Sequence, residues 1–243
     1  MKILSAAPSN TEIIYKLGLQ DQLIGTTSLC DYPEQALDKP SIGGWTQGIN
    51  YSKIDELNPD IILLSDSLQD EQALKLSEKY ETLQVNPVNL EGVFSSILRI
   101  GRRFDREQKA SKIIRKMEKE IESINLKNKR IYCEEWMEPP MVSGNWIPDL
   151  IERANGEYFI DSGRSREFEL EDLESFDPEY IFLNVCGAGT KVDPDKILER
   201  SEWKEISAVK NDNVYVINDA LLNRPSPRIV EGLKKVKKLS SDS

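Results

Sequence analysis

Apolar residues fall along this chain in two alternating textures. Short continuous runs, such as Ile61-Ile62-Leu63-Leu64 and Tyr180-Ile181-Phe182-Leu183, read as strands buried on both faces. Between them, apolar residues recur three or four apart, the spacing of one face of a helix. The helical period is strongest from Asp105 to Lys127. Ala110, Ile113, Ile114, Met117, Ile121 and Ile124 form one stripe there, with Lys, Arg and Glu on the other faces. Asp105 stands as a cap, Gln108 takes the capping-box position, and no Gly or Pro interrupts the run. At ~1.5 Å per residue such a helix is a rod of roughly 30 Å. It reads either as a strut joining two lobes or as a long surface helix of one domain.

The segments before and after this helix read alike. The first begins with a strand at Ile3–Ala7. Ser9 and Glu12 are spaced as a capping box for a helix over Asn10–Leu17, which Gly18 closes. A strand at Leu23–Thr27, a helix at Tyr51–Leu57, a strand at Asp60–Leu64, a helix at Gln69–Tyr80, a strand at Thr82–Val85 and a helix from Asn89 follow. After the long helix the order restarts with a strand at Arg130–Cys133, a loop from Glu134 to Trp146 and a helix at Ile147–Ala154. Helical pieces at Phe168–Ser175 and Pro194–Arg200 follow, with strands at Tyr180–Leu183 and Val214–Ile217, and a last helix carries Ile229, Val230, Leu233 and Val236. Asn58-Pro59-Asp60 and Asp177-Pro178-Glu179 each stop a helix just before a buried strand. Alternating strands and helices mean parallel pairing. The expected fold class is therefore α/β; on the strut reading, lobes over 1–104 and 128–243 are bridged by one long helix over 105–127 with a ligand cleft between them.

Composition narrows the chemistry. The 243 residues are 39% apolar and 30% charged, with a net charge of −10. So acidic a chain is poorly suited to nucleic acid or anionic membranes. No stretch approaches the ~20 apolar residues of a membrane span. No signal segment is visible, so a cytoplasmic location is expected if Met1 is the native start, and a periplasmic or extracellular one if a signal was trimmed. Histidine is absent, which removes the usual catalytic triads and nearly every zinc site. Cys30, Cys133 and Cys186 are too scattered for a CxxC pair or a disulfide framework. They read as buried thiols or, equally, as functional ones.

Ligands of parallel α/β sheets sit beyond the carboxyl ends of the strands. That rule selects Pro8-Ser9-Asn10, Leu29-Cys30-Asp31-Tyr32, the loop carrying Trp45, the segment Trp136 to Trp146 with Met141 and Asn145, Cys186-Gly187, and Leu222-Asn223-Arg224. Three of the four tryptophans fall in these loops. Tryptophan and proline surface with a few amides and hydroxyls suits a large, flat, mostly neutral ligand. Catalytic candidates are few. Glu134 and Glu135 are adjacent, so on a strand they point to opposite faces and form no carboxylate pair.

Several motifs in order carry a resemblance. Ser5-Ala6-Ala7-Pro8-Ser9-Asn10-Thr11-Glu12, Asp31-Tyr32-Pro33, Gly44-Trp45, Asn58-Pro59-Asp60, Pro139-Pro140 and Ser226-Pro227-Arg228 span nearly the whole chain. It resembles the cobalamin and iron-siderophore substrate-binding proteins of ABC importers. Within them it is most similar to signal-less cobalamin-binding members, through Glu135-Trp136, Pro139-Pro140, Gly144 and Trp146-Ile147-Pro148. The resemblance implies that both lobes are Rossmann-like, and that the chain is a monomer that clamps a corrinoid and is not an enzyme. Cobalamin would be a ligand rather than a cofactor of its own, and no protein residue would hold a metal. It also implies docking on an ABC permease through one glutamate per lobe. Glu171 matches the second, whereas Ser52 stands where the first is expected. The alternatives are an iron-siderophore or haem-like ligand on the same fold, and a tetrapyrrole-metabolism enzyme such as a chelatase.

Overall fold

A computed structural model describes residues 1–44 and 48–241. The chain groups into two compact units, Met1–Pro87 with Phe94–Ile114, and Val88–Val93 with Arg115–Ser243.

The first unit contains β1 (Ile3–Ser5), α1 (Pro8–Leu17), β2 (Leu23–Gly25), β3 (Gly43–Gly44), β4 (Gly48–Ile49), α2 (Tyr51–Leu57), β5 (Ile61–Ser65), α3 (Asp70–Ser77) and β6 (Glu81–Val85). Its sheet has the order β2-β1-β5-β6 with every pair parallel, and β3 and β4 form a separate antiparallel ribbon. All five residues of β5 are buried, as its unbroken apolar run requires. Leu4, Ile42, Ile54, Ile62, Leu64 and Leu76 pack together in the core of this unit.

Two helices follow, α4 (Leu90–Arg103) and α5 (Glu107–Glu122). The apolar stripe of α5 is real: Ala110, Met117 and Ile121 are buried, and Ile113 and Ile114 are half-buried. Its bounds are shorter than the sequence predicts. Asp105 does not cap α5. It takes a left-handed conformation, φ 54°, behind α4, and the Arg106 amide folds back to the Gly101 carbonyl at 2.7 Å. At the far end the Asn125 side chain accepts from the Lys127 amide at 2.8 Å, and Lys127 and Asn128 both have positive φ. A side-chain turn of this kind competes with the helix and ends it early.

The second unit holds β7 (Arg130–Met137), β8 (Pro140–Val142), α6 (Ile147–Arg153), β9 (Glu157–Tyr158), β10 (Arg166–Glu167), α7 (Leu170–Phe176), β11 (Tyr180–Leu183), α8 (Asp195–Leu198), α9 (Ser207–Lys210), β12 (Val214–Val216) and α10 (Ile229–Leu239). Strands β9, β7, β11 and β12 are mutually parallel and repeat the order β2-β1-β5-β6 of the first unit. Antiparallel β8 and β10 extend the same edge of β7. The segment from Glu134, expected as a loop, is thus half of a hairpin. The motif repeated in the sequence is repeated in the backbone. Asn58 ends α2 at φ 48°, ψ 64°, and Asp177 ends α7 at φ 46°, ψ 69°. A proline and a buried strand follow each, and Ser52 and Glu171 are both second residues of their helices.

One local expectation fails at the start. Helix α1 begins at Pro8, with Ala7 as its cap residue and no capping side chain. Pro8 suits the first turn because its missing N–H has no helical partner there. Ser9 lies inside the helix instead of capping it.

Candidate functional site

In the first unit, the loop after β1 leads into α1. Pro8 is half-buried. Ser9 is buried, with its hydroxyl 3.5 Å from that of Ser65 at the end of β5. Asn10 is wholly buried, and neither polar atom of its side-chain amide has a hydrogen-bond partner among the described residues. After β2, Leu29 is exposed, as is Asp31, and Tyr32 is half-buried before a cis peptide to Pro33. Cys30 follows the buried-thiol alternative rather than the one that puts it on the ligand surface. Its sulfur is buried, the Thr11 hydroxyl donates to it at 3.1 Å, and the Thr27 hydroxyl lies 3.2 Å away. Trp45 lies outside the described residues.

The loop after β5 carries a feature that the sequence gives no periodic sign of. Gln69 accepts from the Ser65 amide at 2.7 Å and donates to the Ala6 carbonyl at 2.9 Å, so one side chain ties the ends of β5 and β1 together. Asp66 caps the turn between them by accepting from the Leu68 amide at 3.0 Å. Leu68 is left 64% exposed at the carboxyl end of the sheet.

In the second unit, Trp136 and Met141 face each other across β7 and β8. Trp136 is 49% exposed, and its indole N–H donates to the Glu138 carbonyl at 3.0 Å. The register slips by one residue between Glu134 and Trp136, leaving Glu135 as a bulge. The two glutamates serve different partners, as their adjacency requires. Glu134 is wholly buried and accepts from Arg200 through both oxygens, at 2.8 and 2.9 Å, and from the Tyr132 hydroxyl at 2.9 Å. Burial pushes the Glu134 carboxyl up, and Arg200 and Tyr132 pull it part of the way back. Glu135 accepts from the Ser165 hydroxyl.

Asn145 takes a left-handed conformation, φ 57°, and its amide donates to the Gly163 carbonyl at 2.6 Å. Beside it, a Cβ on Gly144 would sit 2.4 Å from the backbone of Gly163 and Arg164, so only glycine permits the approach. Trp146 is buried and its indole N–H donates to the Leu222 carbonyl at 2.7 Å, and Leu222 is itself buried. These two residues join neighbouring loops and present little surface. Asn184, at the end of β11, donates to the Ser143 hydroxyl at 2.8 Å and to the Asn223 side chain at 2.6 Å. Asn223 returns a bond to the Asn184 carbonyl at 2.8 Å.

The turn at 186–189 is held from outside. The Asp219 carboxylate accepts from the Gly187 and Gly189 amides, both at 2.9 Å. Cys186 stands exposed on this turn. Although the residue is exposed, the protein around its sulfur desolvates the thiolate, and this first, then the charges of Glu135 and Asp219, pushes the thiol up, while Arg224 acts in the opposite sense. Arg224 is half-buried. Glu171 is exposed in the first turn of α7, as Ser52 is in α2. Among the described residues no group of three or more His, Cys, Asp or Glu is placed to hold a metal ion, and no helix is long and apolar enough to cross a membrane.

Arg200, Asp219 and Gln69 were not singled out in the sequence. Each acts over tens of residues of chain, and a single polar residue near a helix end carries no periodic signal. The glutamate pair and the tryptophans were visible because adjacency and residue type mark them locally.

The chain is similar in sequence and fold to known proteins. The chain is 27% identical over 248 residues to an uncharacterized ABC transporter substrate-binding lipoprotein, YvrC, of Bacillus subtilis, covering 97% of this chain and 78% of the relative. It is 26% identical over 247 residues to the vitamin B12-binding protein of Vibrio campbellii, covering 97% and 87%. The crystal structure of the periplasmic heme-binding protein HutB of Vibrio cholerae has the same fold, with a TM-score of 0.83, 20% identity and 99% of each chain covered. Residues 3–221 match the family described as periplasmic binding protein. The chain therefore belongs to the periplasmic binding protein family, with substrate-binding proteins of ABC transporters among its relatives.

Proposed function

We propose that this protein binds a corrinoid, cobalamin itself, and delivers it to an ABC permease. The observation that carries this reading is Trp136, which stands half-exposed on the β7–β8 hairpin across from Met141. Asn145, Asn223 and Arg224 supply polar groups on loops of the same unit. A broad indole with scattered amide and guanidinium groups suits a flat macrocycle rimmed by amide side chains. The full-length likeness to a vitamin B12-binding protein supports the same ligand. Cobalamin brings its own lower base, so a chain without histidine can hold it by shape and hydrogen bonds alone. Glu171, exposed at the start of α7, is the proposed permease contact, and Ser52 leaves the matching position of α2 without a charge.

The test is a visible spectrum of the protein after incubation with cyanocobalamin and passage over a desalting column, with haem as a parallel ligand. Retention of the corrin bands at one equivalent, without a Soret band in the haem arm, is expected. Retention of haem with loss of cobalamin would overturn the assignment.

A further inference from the structure

The β7–β8 hairpin that presents Trp136 is gripped by one side chain, Arg200, that is itself 13% exposed. Arg200 follows α8, and its guanidinium makes three hydrogen bonds into the hairpin. Two go to the buried Glu134 carboxylate. The third goes to the Met137 carbonyl at 2.8 Å. Met137 is the last residue of β7 and pairs with Pro140, so this carbonyl lies at the base of the hairpin turn. Glu134 and Met137 lie on either side of Trp136, and between Glu134 and Trp136 lies the Glu135 bulge. A bulge leaves a strand without a full ladder and re-aims the side chain beyond it. Here the ladder is replaced by side-chain bonds. The Arg200 guanidinium also lies over the Trp203 ring at 4.4 Å, and Trp203 stands edge-on to Tyr132, which donates to Glu134. The guanidinium is thus fixed by a planar fork, a ring face and a carbonyl at once, an arrangement that lysine does not reproduce.

We propose that Arg200 is a positioning residue: by bridging Glu134 and the Met137 carbonyl it locks the bulged hairpin and so sets the direction in which Trp136 faces a ligand. The consequence for affinity rests on the reading that Trp136 bears the ligand. The consequence for the hairpin does not.

Removing Arg200 alone would strand a buried carboxylate and confuse misfolding with misplacement. The informative variant is the double substitution Glu134→Gln with Arg200→Met, which removes both charges, keeps the volume and leaves an acceptor for Tyr132. Fluorine NMR on protein labelled with 5-fluorotryptophan, with the Trp136 signal assigned through Trp136→Phe, reads the hairpin without any ligand. The Trp136 resonance is expected to shift and broaden, while that of Trp146 stays in place. Cyanocobalamin titrations are then run on wild type, the double variant, Trp136→Ala and all three changes together. The double variant is expected to bind about tenfold more weakly than wild type, and its two changes should have no further effect once Trp136 is alanine. An unchanged Trp136 resonance in the double variant would overturn the positioning role, as would an equal loss of affinity in both backgrounds. If wild type binds no cobalamin, the ligand assignment falls, and the fluorine spectrum still decides whether Arg200 orders the hairpin.

Discussion

The three cysteines show how one residue type divides by surroundings. Cys133 is wholly buried in β7, and burial pushes its thiol up to about 12. Cys30 is enclosed by Thr11 and Thr27. Only Cys186 stands exposed, and its thiol is raised by desolvation from the protein around the sulfur and by the charges of Glu135 and Asp219. The thiolate is the reactive form. In the native protein Ellman's reagent should therefore titrate a single thiol, slowly at neutral pH and faster toward pH 9, and Cys186→Ser should abolish the signal. A second fast thiol would contradict the burial of Cys30. Glu134 makes a pH-dependent case. Arg200→Met leaves its carboxyl buried without a cation, so its folded pKa rises further above the unfolded one. A carboxyl raised on folding stabilises below its unfolded pKa, and that contribution is lost as pH rises through the folded value. The variant should therefore lose about 3 kcal/mol at pH 8, as broken buried pairs do, and clearly less at pH 5, where protonation neutralises the group. Urea melts at the two pH values measure the difference.

At the scale of elements, the buried strands were the most legible features. Ile61–Leu64 and Tyr180–Leu183 are apolar on both faces, and both became central strands. The stripe of α5 was equally plain, but not its ends, because a left-handed Asp105 and a side-chain turn at Asn125 depend on the conformation of their neighbours. The β7–β8 hairpin was hidden by Pro139-Pro140, which reads as a loop. Pro140 is tolerated because it opens its strand, where a missing donor costs least. Trp136, read from the sequence as a loop aromatic, stands half-exposed on a strand, whereas Trp146 and Cys30 are buried by residues remote in sequence. Gly144 is where an element's position rests on one missing methyl. Gly144→Ala should force apart the segment that carries Asn145 from Gly163–Arg164, at a cost of about 1–3 kcal/mol or more. A thermal melt reads this, and a wild-type midpoint would show that the two backbones separate freely.

For the whole molecule, the absence of histidine and the net charge of −10 set the response to solution conditions. No side chain with an ordinary pKa near neutrality is present to switch a ligand site. Cobalamin affinity should therefore change less than about threefold between pH 6 and 8. On the proposed ligand, isothermal titration across that range measures it, and a tenfold change would point to a group shifted by its surroundings, such as the buried Glu134 carboxyl. Two units that repeat one strand order also offer a route to graft a surface feature from one onto the other. Asn58 and Asp177 turn the chain through nearly the same angles after helices of equal length. The second position of α2 thus holds the same place in its helix–proline–strand motif as Glu171 holds in α7. Ser52→Glu would give both units a carboxylate at the same position of the repeated motif.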